Sequence, residues 1–267
     1  MAVAESKPSG SPPEVRAVAG GLRGSWEAGV AVFRGIPFAE PPVGVLRLAA
    51  PRPAQGWTEV RDAVSYRSAA PAGRRSRHGR AVTGRGGRQL ADSQRLFPDL
   101  GTGAGLPTMV WIQGGAYVIG MSGLPEYDGR PHARDGGVVV VTFNYRVGRE
   151  DFAQIEGAPL HRGLLDRVAA LEWVRDNIRP FGGDADRAAV CGQPAGGGSV
   201  AALLAMDRAA GRSRRAVAQS VPGTFFSSEW TEPSRRPSAG ATPARSGSQA
   251  TPTACRHRRW HTRPRLP

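Results

Sequence analysis

Residues 187–191, Arg-Ala-Ala-Val-Cys, run directly into Gly192-Gln-Pro-Ala-Gly-Gly-Gly198 and then into Ser199-Val-Ala-Ala-Leu-Leu-Ala-Met206. A short apolar run bounded by glycine reads as a strand, the glycine cluster as a turn, and the alanine- and leucine-rich segment as a helix. Glycine-rich strand-to-helix turns are where α/β sheets carry their chemistry.

Working outward, the same alternation recurs. Leu106–Ile112 is a strand ending in Gln113-Gly-Gly-Ala116, and Val138–Phe143 is a β-branched run of the kind buried on both faces of a parallel sheet. Leu164, Leu165, Val168, Ala169, Leu171, Trp173, Val174 and Ile178 share one helical stripe, with Asp166, Arg167, Glu172, Arg175 and Asp176 falling largely off it. That helix stops at Phe181-Gly-Gly-Asp184. Ala216–Ser220 suits one more strand. Toward the N-terminus, Val15–Leu22 and Gly29–Phe33 flank Gly24-Ser-Trp-Glu27 as a hairpin would, and the proline- and glycine-rich 36–53 must be loop. Alternating strands and helices imply an α/β fold: a mostly parallel sheet, right-handed crossovers, and helices on both faces.

The chain has 267 residues, 40% of them apolar, enough for a sizeable core. Its formal charge of +14 raises nucleic acid as a partner, but the charge is unevenly placed. Residues 69–98 hold seven arginines (74, 75, 77, 80, 85, 88, 95) against Asp92. Residues 231–267 hold eight (235, 236, 245, 256, 258, 259, 263, 265) against Glu232. Both blocks lack apolar periodicity, and they hold no interleaved aromatics, with only Phe97 in the first and Trp260 in the second, so they read as a disordered insert and a disordered tail. The expectation is loose electrostatic adhesion at low salt and no specific nucleic-acid site.

Cys191 and Cys255 form no disulfide framework, and the five histidines show no metal-ligand spacing, so no metal or cofactor is expected. No apolar run is long enough to cross a membrane, and residues 1–14, a mobile Pro/Ser-rich leader, lack the apolar centre of a secretory signal, which points to the cytoplasm. The resulting division is leader 1–14, domain 15–230 interrupted at 69–98, and tail 231–267.

Several stretches together resemble the type B carboxylesterase/lipase family of the α/β-hydrolase fold. They are Phe33-Arg-Gly-Ile-Pro-Phe-Ala-Glu-Pro-Pro-Val-Gly, Trp57 with Arg61-Asp-Ala, Met109-Val-Trp-Ile-Gln-Gly-Gly-Ala-Tyr and Pro125-Glu-Tyr-Asp-Gly. The pattern continues through Val139-Val-Val-Thr-Phe-Asn-Tyr-Arg-Val-Gly, Arg162-Gly-Leu-Leu-Asp, Ala170-Leu-Glu-Trp-Val-Arg-Asp-Asn-Ile and Phe181-Gly-Gly-Asp. The resemblance corresponds to about the N-terminal half of a family member and implies an incomplete sheet. It also implies hydrolysis of small-molecule carboxylic esters by a serine in a G-x-S-x-G elbow, with backbone amides stabilising the oxyanion.

In this chain the elbow reads Gly192-Gln-Pro-Ala-Gly196, with Pro194 at the nucleophile position. Proline has no hydroxyl, so no acyl-enzyme forms there by the family's route, and its φ near −65° relaxes the strained turn the family implies. The oxyanion amides implied are those of Gly114, Gly115 and Ala195, with Ala116 adding a Cβ to a crowded turn.

Ser199, Ser220, Ser227 and Ser228 are the nearest other hydroxyls; Ser199 reads as a packing residue of the helix after the elbow. The family's acid and histidine lie beyond the resembling stretch, and His257 and His261 fall in the unpatterned tail. The expectation is a chain without useful esterase activity: a degenerate, truncated pseudoenzyme, or alternatively a non-catalytic binding or adhesion module. The family would carry a strand just before Pro98-Asp-Leu-Gly-Thr-Gly, which residues 69–98 replace. Reading-frame displacement in GC-rich DNA accounts for both arginine blocks, the second running to an early stop; a genuine linker and tail is the competing account.

Overall fold

A computed structural model describes residues 11–66, 93–97, 104–148 and 152–223. A seven-stranded sheet runs through it, formed by β3 (Ser25–Glu27), β4 (Val30–Ile36), β6 (Ser93–Phe97), β7 (Leu106–Ile112), β8 (Val139–Phe143), β9 (Gly183–Gly192) and β10 (Arg215–Ala218). Its order is β10-β9-β7-β8-β6-β4-β3. The four strands from β10 to β8 are mutually parallel, and β6, β4 and β3 extend the sheet antiparallel. A small second sheet joins β1 (Glu14–Ala17), β2 (Gly20–Arg23) and β5 (Arg61–Asp62) in that order.

Alternation along the central strands divides the core between two faces. Val139, Val141 and Phe143 of β8 pack with Ala31 and Phe33 of β4 and with Val168, Leu171 and Val174 of a long helix. Val140, Val30 and Val32 point the other way and pack on Ala133. Among the described residues, α1 (Arg130–Gly136) lies on the second face, and α2 (Arg162–Asn177) and α3 (Ala195–Leu204) on the first. Helices therefore cover both faces, and β8, paired on both edges, is buried at all five residues, as its unbroken β-branched sequence requires.

Several expectations need correction. The N-terminal region forms two hairpins, not one. Residues 25–27, read as the turn, are strand β3, and the chain reverses at Ala28-Gly29, both with positive φ. The leader's end is structured, since Glu14 lies in β1 and the Gly24 amide donates to the Pro13 carbonyl at 2.8 Å. Within the segment read as an unpatterned insert, Ser93–Phe97 is strand β6, seated between β8 and β4. The remainder of 69–98, the tail from 231, and Ser227, Ser228, His257 and His261 lie outside the described residues.

α2 buries two charged residues that the helical stripe placed outside. Asp166 is 1% exposed and Arg167 fully buried. Asp166 takes a bidentate salt bridge from Arg146, at 2.9 Å from Nε and 2.7 Å from Nη2, and also accepts the Arg146 amide. Arg146 Nη1 continues to the Ala49 carbonyl at 2.8 Å, tying the 36–53 loop to the core. The Arg167 guanidinium stacks 3.7 Å above the Tyr145 ring. Periodicity sorts residues by polarity alone, and these charges are buried because partners on other segments meet them.

α3 begins at Ala195, four residues before the sequence signal. Three glycines in a first turn are poor helix formers, yet α3 lies so close to the sheet that little else fits. A Cβ on Gly196 would stand 2.0 Å from the Ile112 carbonyl oxygen, and one on Gly197 would stand 2.5 Å from that of Gln219. β9 likewise begins at Gly183, because Gly183 and Asp184 pair with Leu106 and Pro107 of β7 ahead of a register shift.

Candidate active site

The C-terminal ends of β7 and β9 bring together the two glycine-rich turns singled out from the sequence. Gly192 ends β9, Gln193 and Pro194 follow exposed, and Ala195 opens α3 fully buried. Pro194 has φ −72° and ψ −42°, a right-handed helical conformation. Its carbonyl accepts the Gly198 amide at 3.0 Å, the first bond of α3. The amides of Ala195, Gly196 and Gly197 precede that bond and form the uncapped positive end of the helix.

The other turn lies against this one. A Cβ on Gly114 would sit 2.5 Å from the Gln193 carbonyl oxygen and 2.8 Å from Pro194 Cδ. Gly115, at φ 120°, turns the chain so tightly that its carbonyl accepts the amides of both Val118 and Ile119 at 3.0 Å. Gly114, Gly115, Pro194 and Ala195 therefore share one end of the sheet.

Ala116 does not meet the crowding expected of it, since its side chain is exposed. The cost is in the backbone. Ala116 and Tyr117 are both left-handed, at φ 53° and 61°, and each carries about 1–2 kcal/mol of strain in that region.

Two neighbours of the turn gave no sequence signal. Tyr145 Oη donates to the Gln113 carbonyl at 2.5 Å and pins the end of β7. Gln113 is buried, and its side-chain amide has no hydrogen-bond partner among the described residues. Tyr127 lies near Trp111, their ring centroids 6.5 Å apart. Burial pushes its hydroxyl above the usual tyrosine range, an effect the Gly114 N–H partly offsets. One proposed oxyanion amide therefore already faces a protein oxygen. Tyr127 belongs to the quoted 125–129 stretch, but nothing in its spacing announces a partner at Gly114.

Ser199 is fully buried and donates to the Ala195 carbonyl at 2.8 Å, a contact within α3. Ser220 is exposed past β10 with φ 50°. Cys191 is buried in β9, where burial pushes its thiol up, away from the thiolate a nucleophile requires. His132 lies on α1, the helix of the opposite face, and His161 caps α2, 6.5 Å from the Phe152 ring. Among the described residues no three His, Cys, Asp or Glu side chains are grouped to hold a metal, and no helix is long and apolar enough to cross a membrane. The ends of β7 and β9 thus bring two glycine-rich turns together around a position that has neither hydroxyl nor N–H.

Comparison with known proteins gives concordant results. A sequence model described as the carboxylesterase family matches residues 11–246. Para-nitrobenzyl esterase of Bacillus subtilis (strain 168) is 42% identical over 207 residues, covering 75% of this chain and 42% of that protein. Phenmedipham hydrolase of Pseudarthrobacter oxydans is 41% identical over 214 residues, covering 79% and 43%. Among solved structures, a PNB esterase superposes with a TM-score of 0.69 at 40% identity, over 78% of this chain and 44% of that one. A thermophilic PNB esterase gives 0.71 at 39% identity. The chain spans less than half the length of the curated relatives it matches.

Proposed function

Since the chain belongs to the carboxylesterase family, we propose that it derives from a serine hydrolase of small-molecule carboxylic esters and has itself lost the hydrolytic step. The observation that carries this reading is Pro194 at the centre of the Gly192–Gly196 elbow, in a right-handed conformation and without a nucleophilic atom. Ester hydrolysis by the family's route needs an oxygen there to attack the acyl carbon and hold the acyl group until water releases it. Neighbouring hydroxyls do not replace it, because Ser199 is engaged within α3.

The amides of Gly115 and Ala195 are the surviving part of the proposed machinery, that of Gly114 being engaged by the Tyr127 hydroxyl. Donors of this kind stabilise charge on an oxyanion, but here no attacking atom generates that charge. The relatives' names specify a para-nitrobenzyl ester and phenmedipham as what those proteins act on. For this chain the corresponding ligand class is a small carboxylic ester, bound without turnover.

The test is to expose the purified full-length chain to a fluorophosphonate probe and to para-nitrophenyl butyrate. No covalent adduct and release of nitrophenol at the buffer rate are expected. A stoichiometric adduct on any serine overturns the proposal and locates the true nucleophile.

A further inference from the structure

Alternation along β7 and β8 sends every second side chain to the face that carries α1, and toward the C-terminal ends of the two strands that row becomes polar. Val110 and Ile112 join the larger core, while Met109 and Val140 pack on the opposite face. Trp111 and Thr142, paired in register, continue the two rows, and Gln113 and Asn144 follow two residues on. Residues 120–122 lie across this end. The Ser122 amide donates to Asn144 Oδ1 at 2.8 Å, Thr142 Oγ1 lies 3.5 Å from the Ser122 carbonyl oxygen, and a Cβ on Gly120 would stand 3.4 Å from Gln113 Cγ and 3.9 Å from Gln113 Nε2.

Three of these residues carry buried polar atoms with no hydrogen-bond partner among the described residues: Trp111 Nε1, both polar side-chain atoms of Gln113, and Ser122 Oγ. Gln113 is 1% exposed and Ser122 fully buried. Folded proteins rarely leave such groups unmet, because each has given up its bonds to solvent and gained nothing in return. Their chemistry specifies what they would take. The indole and amide N–H groups donate, the amide oxygen accepts, and the hydroxyl does either. A cation would face the N–H donors, and an anion would face the amide oxygen with no charge among these groups to offset its desolvation. The guest is therefore neutral, a donor as well as an acceptor, and small, since Gly120 stands so near that even a methyl group there would touch Gln113.

We propose that this end of β7 and β8 is a site for ordered water, in which a buried water molecule bridges the Gln113 side-chain amide and Ser122 Oγ, with the Trp111 indole N–H as a further donor into the site. Water meets such groups with two to four bonds and is retained as part of the fold. Its consequence is positional. Gln113 immediately precedes Gly114 and Gly115, and its carbonyl already accepts from Tyr145 Oη. Ser122 is tied through its amide to Asn144, in the segment after β8. A water joining the two side chains therefore closes the 113–122 turn from the face away from α3 and fixes where its glycine amides point. Neither family membership nor the identity of residue 194 enters the argument, so its test reads structure and stability and not hydrolysis.

The full-length chain is crystallised, and its melting temperature is compared with those of Gln113→Met, Ser122→Ala and the double variant. Density for a water within hydrogen-bond distance of both the Gln113 side chain and Ser122 Oγ is expected in the parent. Each single substitution takes one partner from that water and should lower the melting temperature by about 2–4 °C. The double variant should lose less than the sum of the two, because both groups hold the same guest. Groups that are merely unpartnered behave in the opposite sense, since replacing one by an apolar side chain removes a desolvation cost and raises the melting temperature. A rise in either single variant overturns the proposal, as do additive losses, or density in which Gln113 and Ser122 meet protein atoms with no water between them. A variant that fails to fold leaves the decision to the density of the parent. None of these results bears on fluorophosphonate labelling, which tests the catalytic reading alone.

Discussion

The proposed loss of hydrolysis turns on one side chain, Pro194, yet placing a serine there should not produce the reaction. Pro194→Ser supplies an oxygen, but a serine hydroxyl is a weak nucleophile until a base accepts its proton. Among the described residues the two histidines belong to α1 and to the start of α2, neither of which forms the elbow. Pro194→Ser should therefore leave para-nitrophenyl butyrate hydrolysis at the parent's rate, and a gain above about a hundredfold would show that a base is present. The glycine two residues on is sensitive for a different reason. Gly196→Ala pushes a methyl group to 2.0 Å from the Ile112 carbonyl oxygen, where two backbones and no flexible side chain must separate. A loss of about 3 kcal/mol, or failure to fold, is expected, and an unchanged denaturation midpoint would show that the elbow does not hold α3 against β7. This part of the site was legible in the sequence, because a glycine cluster between a strand and a helix has few other uses. The Tyr127 and Tyr145 contacts were not, because a tyrosine in a loop carries no periodic signal of the atom it will meet.

Elements are held together here by charge as well as by apolar packing. The Arg146–Asp166 bridge, 1% exposed on both sides, joins the segment after β8 to α2 and to the 36–53 loop. The indentation lined by Phe38, Pro42, Leu46, Ala49 and this pair includes none of the elbow residues. Asp166→Asn leaves a buried guanidinium without its counter-charge and should cost about 3–5 kcal/mol, whereas Arg146→Met with Asp166→Leu should recover part of the loss. A denaturant series on the three proteins tests this, and equal losses in the single and double variants would remove the bridge from the account.

The strand–helix contacts on the other face should respond to pH. Arg34, through hydrogen bonds at the β3–β4 hairpin, holds the Glu27 carboxyl below its usual range, and Arg130 at the start of α1 does the same for Asp128. Carboxyls depressed in the folded state add stability that is complete above their unfolded pKa of about 4 and is lost as pH falls below it. Melting temperatures between about pH 6 and 3 should fall, and Glu27→Gln should flatten that fall; parallel curves for parent and variant would refute the assignment. β7, β8 and α2 were readable because their apolar patterns are unbroken. The paired end of β9 at Gly183-Asp184, the strand at Ser25–Glu27 and β6 were not, since in each a polar or glycine-containing segment becomes a strand only because a neighbour is there to pair with it.

Over the whole molecule, sequence and structure lead to different partners depending on which charges are counted. The net +14 invites a nucleic-acid reading, but residues 69–98 contribute +6 of it and residues 231–267 contribute +7, which leaves the rest of the chain near neutrality. Within the described residues several cations are already matched, Arg23 with Glu14, Arg130 with Asp128, Arg146 with Asp166 and Arg212 with Glu172. We propose that this charge builds no folded basic face of the kind that positions a reading helix. What remains is attraction between arginine-rich segments and phosphates, which releases counterions and therefore decays steeply with salt, by about three to five powers of ten between 50 and 200 mM for six to ten contacts. Binding of the full chain to two duplexes of unrelated sequence should accordingly be equal at each salt concentration and nearly gone at 200 mM, and removal of 231–267 should lower the salt slope in proportion to the arginines removed. Preference for one duplex that survives at 200 mM would instead require a structured recognition surface, and would move the search for this protein's function from the ester site to its arginine blocks.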